Sequence, residues 1–163
     1  MSPRAASRLE SLDFIDVYDF AAGKAAWLAA ELPIEGSDSI TPRAGEHART
    51  DVPTCQLDEP LDAVRERVSA TGWDTCIVIN EQRIVLGRLG RSALSNSDAQ
   101  TVEEAMSAGP STIRPDTPLA TITQRLRDKN LTSALVTTLE GELVGILLLE
   151  DAANLLQPDR HDQ

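Results

Sequence analysis

The chain has 163 residues, of which 41% are hydrophobic, so it can bury a core of ordinary size in one domain or two small ones. Its 26 acidic and 15 basic residues give a net charge of -11, which repels phosphate backbones and anionic lipid. Only 3% of the residues are aromatic, too few for the stacking surfaces of single-strand binders. We therefore expect no nucleic acid and no membrane as a partner.

The apolar stretches are short. The longest of them, Leu143 to Leu149, is far below the ~20 residues that cross a bilayer. Asp13 and Asp16 lie where a signal peptide needs an apolar run, so the sequence predicts a cytoplasmic protein. The two cysteines and two histidines are not at metal-ligand spacing, and we expect neither a metal site nor a disulfide.

The first part of the chain predicts a strand at residues 16–20 and an alanine-rich helix that ends at Pro33. This pair of elements, with Trp27 and the Leu-Pro ending, resembles the last strand and helix of a rhodanese domain. Ala22 replaces a glycine of that family, and the sequence lacks the family's cysteine-bearing loop. Residues 1–36 are thus predicted to be a rhodanese-like remnant without a persulfide nucleophile, which makes sulfur transfer the least favoured function.

The rest of the chain contains an internal repeat. Residues 37–51 are rich in Ser, Thr, Pro, Gly and charge and are predicted to be a linker. A shift of 58 residues then aligns 52–94 with 110–152 without a gap and gives eight identities in 43 positions, against roughly 6% per position by chance. We predict a first repeat at 52–98, a second at 99–157 and a disordered tail at 158–163.

Each repeat is predicted to fold as β-α-β-β-α. Apolar residues at i, i+3 and i+7 indicate a helix after Pro60 and after Pro118, and short aliphatic runs around polar turns indicate a hairpin after each helix. The predicted fold class is α/β (α+β), with two sheets packed about a pseudo-two-fold axis. Six helical side chains are expected to face the core that the two sheets share: Leu61, Val64, Val68, Leu119, Ile122 and Leu126.

This organisation resembles the CBS domain, which usually occurs in tandem as a Bateman module. The resemblance rests on residues 105–119, the helix that follows them, and residues 143–151. It implies a cleft between the repeats that binds adenine nucleotides or other adenosyl ligands through a Gly-x-x-Ser/Thr-x-x-Asp segment. The second repeat keeps Gly145 and Asp151 of that pattern, with Leu148 at the hydroxyl position, whereas the first repeat has Gly90 and Ala93 at the hydroxyl and aspartate positions.

The resemblance implies that Asp151 accepts the ribose hydroxyls, and we expect its loss to weaken binding most. The alternative is that Asp151 only favours the start of a helix through the helix dipole. Arg88, with Arg91 beside it, either contacts a phosphate or is only solvated. The other candidate lining positions, which are also ordinary core positions, are Thr54, Cys55, Thr112, Ile113, Ser133, Ala134, Gly145, Ile146 and Leu147.

The sequence therefore predicts a non-enzymatic regulatory module without catalytic residues or a resident cofactor. AMP, ATP or another adenosyl ligand is its expected small molecule, and a regulated protein of unknown identity is its expected partner. CBS pairs are generally dimers, so a homodimer is expected. The alternative function is a dimerising interaction module that binds no ligand.

Overall fold

The computed structural model describes residues 8–18, 23, 27, 32–33, 41–96 and 98–157. Most of the rhodanese-like segment and the whole predicted tail at 158–163 lie outside these residues. Residues 16–18, which belong to the predicted first strand, are not in a strand. The remainder of that prediction stays untested.

The first repeat contributes three strands and two helices in the predicted β-α-β-β-α order. These are β1 (Thr54–Cys55), α1 (Leu61–Ser69), β2 (Cys76–Ile79), β3 (Val85–Leu89) and α2 (Arg91–Asn96). Strands β1 and β2 are parallel, because helix α1 connects them, and β2 and β3 form an antiparallel hairpin.

The second repeat has the same order of elements, preceded by a short helix and strand. These are α3 (Val102–Ala105), β4 (Ser107–Ala108), β5 (Thr112–Ile113), α4 (Leu119–Asp128), β6 (Ser133–Thr137), β7 (Leu143–Leu148) and α5 (Leu149–Leu155). The two sheets have the strand orders β1-β2-β3-β4 and β5-β6-β7, so the predicted mixed α+β fold of two repeats is confirmed.

The six helical side chains expected in the core are all buried, but they do not face the core shared by the sheets. Those of α1 pack against Cys76 and Val78 of their own sheet, and those of α4 against Ala134 and Val136. Alternate strand residues point to opposite sheet faces, so the other faces of the two sheets form a separate core. That core contains Val52, Ile77, Ile79, Leu135, Leu143 and Ile146.

The two hairpins meet at the pseudo-two-fold axis, where Ile84 pairs with Glu142, the residue 58 positions later. The hydrogen bond from Val85 N to Gly141 O (3.0 Å) has its symmetric counterpart from Leu143 N to Arg83 O (2.9 Å). The 58-residue spacing of the sequence repeat therefore also relates equivalent positions across the pseudo-two-fold axis of the fold.

The backbone segment that precedes each repeat forms hydrogen bonds with the other repeat. We call residues 42–49 and 100–107, which are again 58 positions apart, the crossing segments. In the first, Ala44 N donates to Thr117 O of the second repeat at 2.9 Å, and Arg49 pairs with Ile146. In the second, Val102 N donates to Glu59 O of the first repeat at 3.1 Å, and β4 pairs with β3. The predicted linker 37–51 thus holds a stretch that belongs to the second repeat's packing, and residues after the predicted boundary at 98/99 complete the first sheet.

The described residues can be compared with what a membrane-spanning helix and a metal site require. None of their helices is both long and apolar enough to cross a bilayer. Their His, Cys, Asp and Glu side chains form no group of three or more that could hold a metal ion.

Candidate functional site

A cleft of about 750 Å³ opens between the two repeats, within the size range of small-molecule sites. It lies where the amino ends of β2 and β6 and the carboxyl ends of β3 and β7 come together. Both repeats contribute lining residues, which are Trp73, Asp74, Thr75, Arg88, Arg91, Arg127, Thr132, Ser133, Ile146, Leu148, Leu149, Glu150 and Ala153.

Arg88 is the half-buried cation of the cleft. Its Nε donates to Thr75 Oγ1 at 2.8 Å, and the Thr75 hydroxyl in turn donates to Leu89 O at 2.9 Å. Its two terminal nitrogens have no hydrogen-bond or ion-pair partner within the part of the chain that the structure describes. Burial lowers the pKa of this guanidinium from its ordinary value, although Asp74 acts in the opposite direction. Arg88 is therefore a partly buried cation that Thr75 holds in place, and Asp74, which is paired with Arg91, is the carboxylate whose charge acts on it.

The rim of the cleft carries four exposed charged side chains. Arg91 is paired with Asp74, with 2.6 Å between Nη2 and Oδ2. Arg127 and Glu150 form no ion pair or side-chain hydrogen bond with the described residues. Once the Arg91–Asp74 pair is set aside, two cations and one carboxylate remain for a ligand.

The second repeat contributes apolar as well as polar residues to the cleft. Leu148 and Leu149 provide aliphatic surface above the fully buried Ile146, and Trp73 of the first repeat adds an aromatic ring. Ser133 is only 8% exposed, and its hydroxyl makes no hydrogen bond to the residues that the structure describes. This cleft can hold an apolar ring system and an anionic group at the same time, the combination that a nucleotide offers.

Of the predicted site residues, the structure brings Arg88, Ser133 and Ile146 to the cleft. Asp151 is not a lining residue. Its carboxylate lies 3.9 Å from Arg49 Nη1, and Arg49 stacks on Trp73 with 4.9 Å between the guanidinium carbon and the ring centroid. In helix α5, Glu150 and Ala153 share the cleft face, so Asp151, one position on, is turned away from it.

Gly145 and Leu147 lie behind the cleft rather than in it. Leu147 is fully buried in the core of the second repeat. Gly145 faces the first crossing segment, and a Cβ at this position would lie 2.6 Å from Arg49 O. The glycine thus makes room for a backbone of the same chain.

Four predicted residues line a separate small pocket of about 70 Å³ beside α4: Thr112, Ile113, Ser133 and Ala134. Ser133 is common to this pocket and the cleft. At this volume the pocket is well below the range of small-molecule sites.

Thr54 and Cys55 of β1 line neither cavity. Thr54 O accepts a hydrogen bond from Arg67 Nη2 at 3.0 Å, and Cys55 is buried in the core of the first repeat. The Cys55 thiol donates to Cys76, and this bond together with burial raises the pKa of Cys55 far above its usual range. Both thiols are free and buried, so they serve as small core residues.

Sequence reasoning missed several lining residues, among them Thr75, Arg127 and Glu150. The 58-residue register could have found Thr75, because it is the counterpart of Ser133, which was a candidate. Glu150 lies next to Asp151, and only the helix phase tells which of the two carboxylates faces the cleft.

Comparison with known proteins identifies the fold. Residues 102–158 match the family model of the CBS domain. No curated protein sequence matches the chain. Among solved structures, the CBS domain pair of protein MJ0100, in complex with 5′-methylthioadenosine and S-adenosyl-L-methionine, is 15% identical with a TM-score of 0.62; the match covers 71% of this chain and 95% of that one.

Two further solved structures are similar. CBSX2 from Arabidopsis thaliana, in complex with AMP, is 17% identical with a TM-score of 0.63, over 69% of this chain and 94% of that one. The cytosolic domain of the Mg²⁺ channel MgtE, in complex with ATP, is 20% identical with a TM-score of 0.65, over 74% of this chain. This chain spans only 52% of the MgtE domain. The likenesses show the fold of a tandem CBS module; none of them tests the resemblance of residues 1–36 to rhodanese.

Proposed function

We propose that this protein is a non-enzymatic regulatory module that senses an adenosyl ligand in the cleft between its repeats and acts on a partner protein in the cytoplasm. The observation that carries the proposal is Arg88, a half-buried cation held by Thr75 inside a cleft of nucleotide size. The terminal nitrogens of Arg88 have no hydrogen-bond partner among the described residues, so an anionic group that binds there gains charge-assisted hydrogen bonds.

The similar structures support the chemical class of the ligand. They contain AMP, ATP, or 5′-methylthioadenosine with S-adenosyl-L-methionine, which share the adenosyl group. In this chain we assign the base and ribose to the apolar wall of Ile146, Leu148 and Trp73, and the phosphate to Arg88. Ser133 supplies a second polar contact.

The experiment is a calorimetric titration of the full chain with AMP, ATP, adenosine and S-adenosyl-L-methionine. Arg88→Ile introduces the residue type that the second repeat has at this position and removes the cation. A charge-assisted hydrogen bond is worth about 1.5–3 kcal/mol, so AMP affinity is expected to fall roughly 10- to 100-fold.

Arg83→Asn is the matched control. Arg83 is an exposed arginine in the β2–β3 turn with φ of 60°, a conformation that asparagine tolerates, and it does not line the cleft. This variant loses the same charge and is expected to bind AMP as the wild type does. Equal losses in both variants would contradict a specific role for Arg88.

One observation favours the second candidate function, a dimerising interaction module without a ligand. The aspartate of the family's binding pattern, Asp151, is turned toward Arg49, and Leu148 occupies the hydroxyl position. If none of the four adenosyl compounds binds at millimolar concentration or raises the melting temperature, this alternative replaces the sensor.

We also propose that the chain forms a homodimer, as expected from the resemblance. A two-fold contact is the commonest closed symmetry of soluble proteins. Sedimentation at tens of micromolar is expected to give twice the mass of the 17.6 kDa chain. A single monomeric species would contradict it.

A further inference from the structure

We infer that Glu150 makes the cleft select nucleoside monophosphates over triphosphates. This inference rests on the proposed function and specifies its ligand. Glu150 follows Leu149 at the start of α5 and is the carboxylate of the second repeat that lines the cleft. Neither the family's binding pattern nor the sequence analysis assigns it a role.

The argument is a charge balance over the lining residues. Arg91 is neutralised by Asp74, since both Nε (3.2 Å) and Nη2 (2.6 Å) donate to the same Oδ2 atom. Arg88 inside the cleft and Arg127 at its rim are the cations that remain, and Glu150 is an exposed carboxylate on the same rim as Arg127. The cleft therefore holds no further cation for the additional phosphates of a triphosphate.

Glu150 turns this lack of attraction into repulsion. No ion pair or side-chain hydrogen bond with the described residues holds its carboxylate. Two more negative charges in the same cleft interact unfavourably with it, and also with a protein whose net charge is -11. Like-charge repulsion of this kind is a usual way to achieve specificity.

Arg88 differs in burial from the other charged residues of the cleft that are not paired with each other. Arg88 is half-buried beside the fully shielded Thr75, whereas Glu150 and Arg127 are exposed at the rim. A ligand whose phosphate reaches Arg88 places any further phosphates toward the rim, because the inner space is closed by Thr75, Ser133 and Ile146. Glu150 is thus positioned against the part of the ligand that distinguishes a triphosphate from a monophosphate, and it offsets the attraction of Arg127 for those phosphates.

The test is the ratio of AMP to ATP affinity in the full chain, measured by calorimetry without divalent cations. The wild type is expected to bind AMP about tenfold more tightly than ATP. Glu150→Gln keeps the shape of the side chain and removes its charge. It is expected to lower the ratio of AMP affinity to ATP affinity by about fivefold or more, mainly by tighter ATP binding. A ratio is insensitive to a general loss of folded protein, which would weaken both ligands equally.

Two controls sharpen the result. Glu140→Gln removes an equal charge from the exposed β6–β7 turn, outside the cleft, and is expected to leave the ratio unchanged. In 0.5 M salt the wild-type ratio is expected to shrink, because screening weakens repulsion at the rim.

Each outcome decides between the two claims. Binding of AMP and ATP with equal affinity, or a ratio that Glu150→Gln leaves unchanged, overturns the role of Glu150 and leaves the proposed sensor intact. Failure of every adenosyl compound to bind overturns the proposed function, and the inference with it.

Discussion

The two repeats have the same backbone and opposite chemistry at the cleft. Their hairpins, helices and crossing segments superimpose on the 58-residue register, yet Arg88 of the first repeat corresponds to Ile146 of the second. The hydroxyls of Thr75 and Ser133 are also equivalent, and among the described residues only that of Thr75 makes hydrogen bonds, with Arg88 and Leu89. A symmetric fold therefore supplies a cleft with a charged residue on one side and an apolar residue at the equivalent position on the other, which suits an asymmetric ligand.

The contacts of the crossing segments differ in the same way. Arg49 connects Trp73 of the first repeat with Asp151 of the second, whereas its counterpart, Ser107, is too short for such contacts. The counterpart of Asp151 is Ala93. The backbone pairing of the crossing segments is therefore the same in both repeats, whereas their side chains and the contacts of those side chains differ.

The largest expected difference between the repeats concerns their equivalent glycines. In Gly145→Ala the new Cβ would meet Arg49 O at 2.6 Å. This oxygen accepts from Ile146 N at 3.0 Å, and Arg49 N donates to Ile146 O at 2.8 Å, so the backbone here is held in place. In Gly87→Ala the nearest neighbour is the sulfur of Met106, the flexible part of a side chain. We expect losses of about 2–3 kcal/mol and about 1 kcal/mol in the free energy of unfolding, respectively.

Urea unfolding of both variants and the wild type measures these losses. For a chain of this size, about 1 kcal/mol corresponds to roughly 2–4 °C in melting temperature, so thermal scans provide an independent check. Equal losses, or a larger loss for Gly87→Ala, would show that the crossing segments are not held as differently as the contacts indicate.

A smaller effect is expected from Arg49. Its ion pairs with Asp51 (3.3 Å) and Asp151 (3.9 Å) are exposed, and surface pairs contribute little because solvent screens them. Its stacking on Trp73 adds about 0.5–1 kcal/mol at an exposed site. A double-mutant cycle of Arg49→Ala and Trp73→Leu, the residue type of the second repeat, is expected to give a coupling energy of about 0.5–1 kcal/mol. If the two changes in the free energy of unfolding are strictly additive, the contact between Arg49 and Trp73 does not contribute to the difference between the repeats.

The smallest expected effect is a pH dependence confined to the first repeat. Burial opposes ionisation of Glu59, but hydrogen bonds from Arg67 and Gln56 N outweigh it and lower the pKa of Glu59. The counterpart of Glu59 is Thr117, so the second repeat has no such pair. Because the folded pKa is depressed, the stabilisation is present above the unfolded value of about 4.3 and is lost as the pH falls through the folded value.

Glu59→Gln keeps the acceptor for Gln56 N and removes the charge. We expect it to cost about 0.5 kcal/mol at pH 7, since Arg67 is 48% exposed and the pair is partly screened, and to cost nothing well below the folded pKa. Denaturant unfolding at a series of pH values measures the difference. Glu81→Gln in the exposed β2–β3 turn is the control, and a cost for Glu59→Gln that does not change with pH would rule out the ion pair as its cause.

The parts of the fold that depend on side-chain patterning could be predicted from the sequence. Pro60 and Leu61 recur as Pro118 and Leu119, and this spacing located both helices. The crossing segments could not be found in this way, because the only identity between residues 42–51 and 100–109 is Glu46 with Glu104. Backbone hydrogen bonds hold these segments, and backbone atoms are the same for every sequence.

The candidate site was predicted only in part, for a related reason. Arg88 and Ser133 lie at strand ends, where an alternating pattern determines which side chains point outward. Asp151 and Glu150 are adjacent on a helix, and a family pattern that names one of them does not determine which faces the cleft of this chain. The register already pairs Arg88 with Ile146, but only the fold shows that both residues line one cleft.

The crossing segments also constrain what a single repeat could be. One copy of the β-α-β-β-α unit that begins with its crossing segment does not lay that segment against its own sheet, because in this fold the segment that precedes each repeat packs on the other repeat. Two separate copies could satisfy each other by swapping the segments across a true two-fold axis. Fusion of two such copies in one chain would turn a concentration-dependent association into an intramolecular one and would free each half to change its side chains independently.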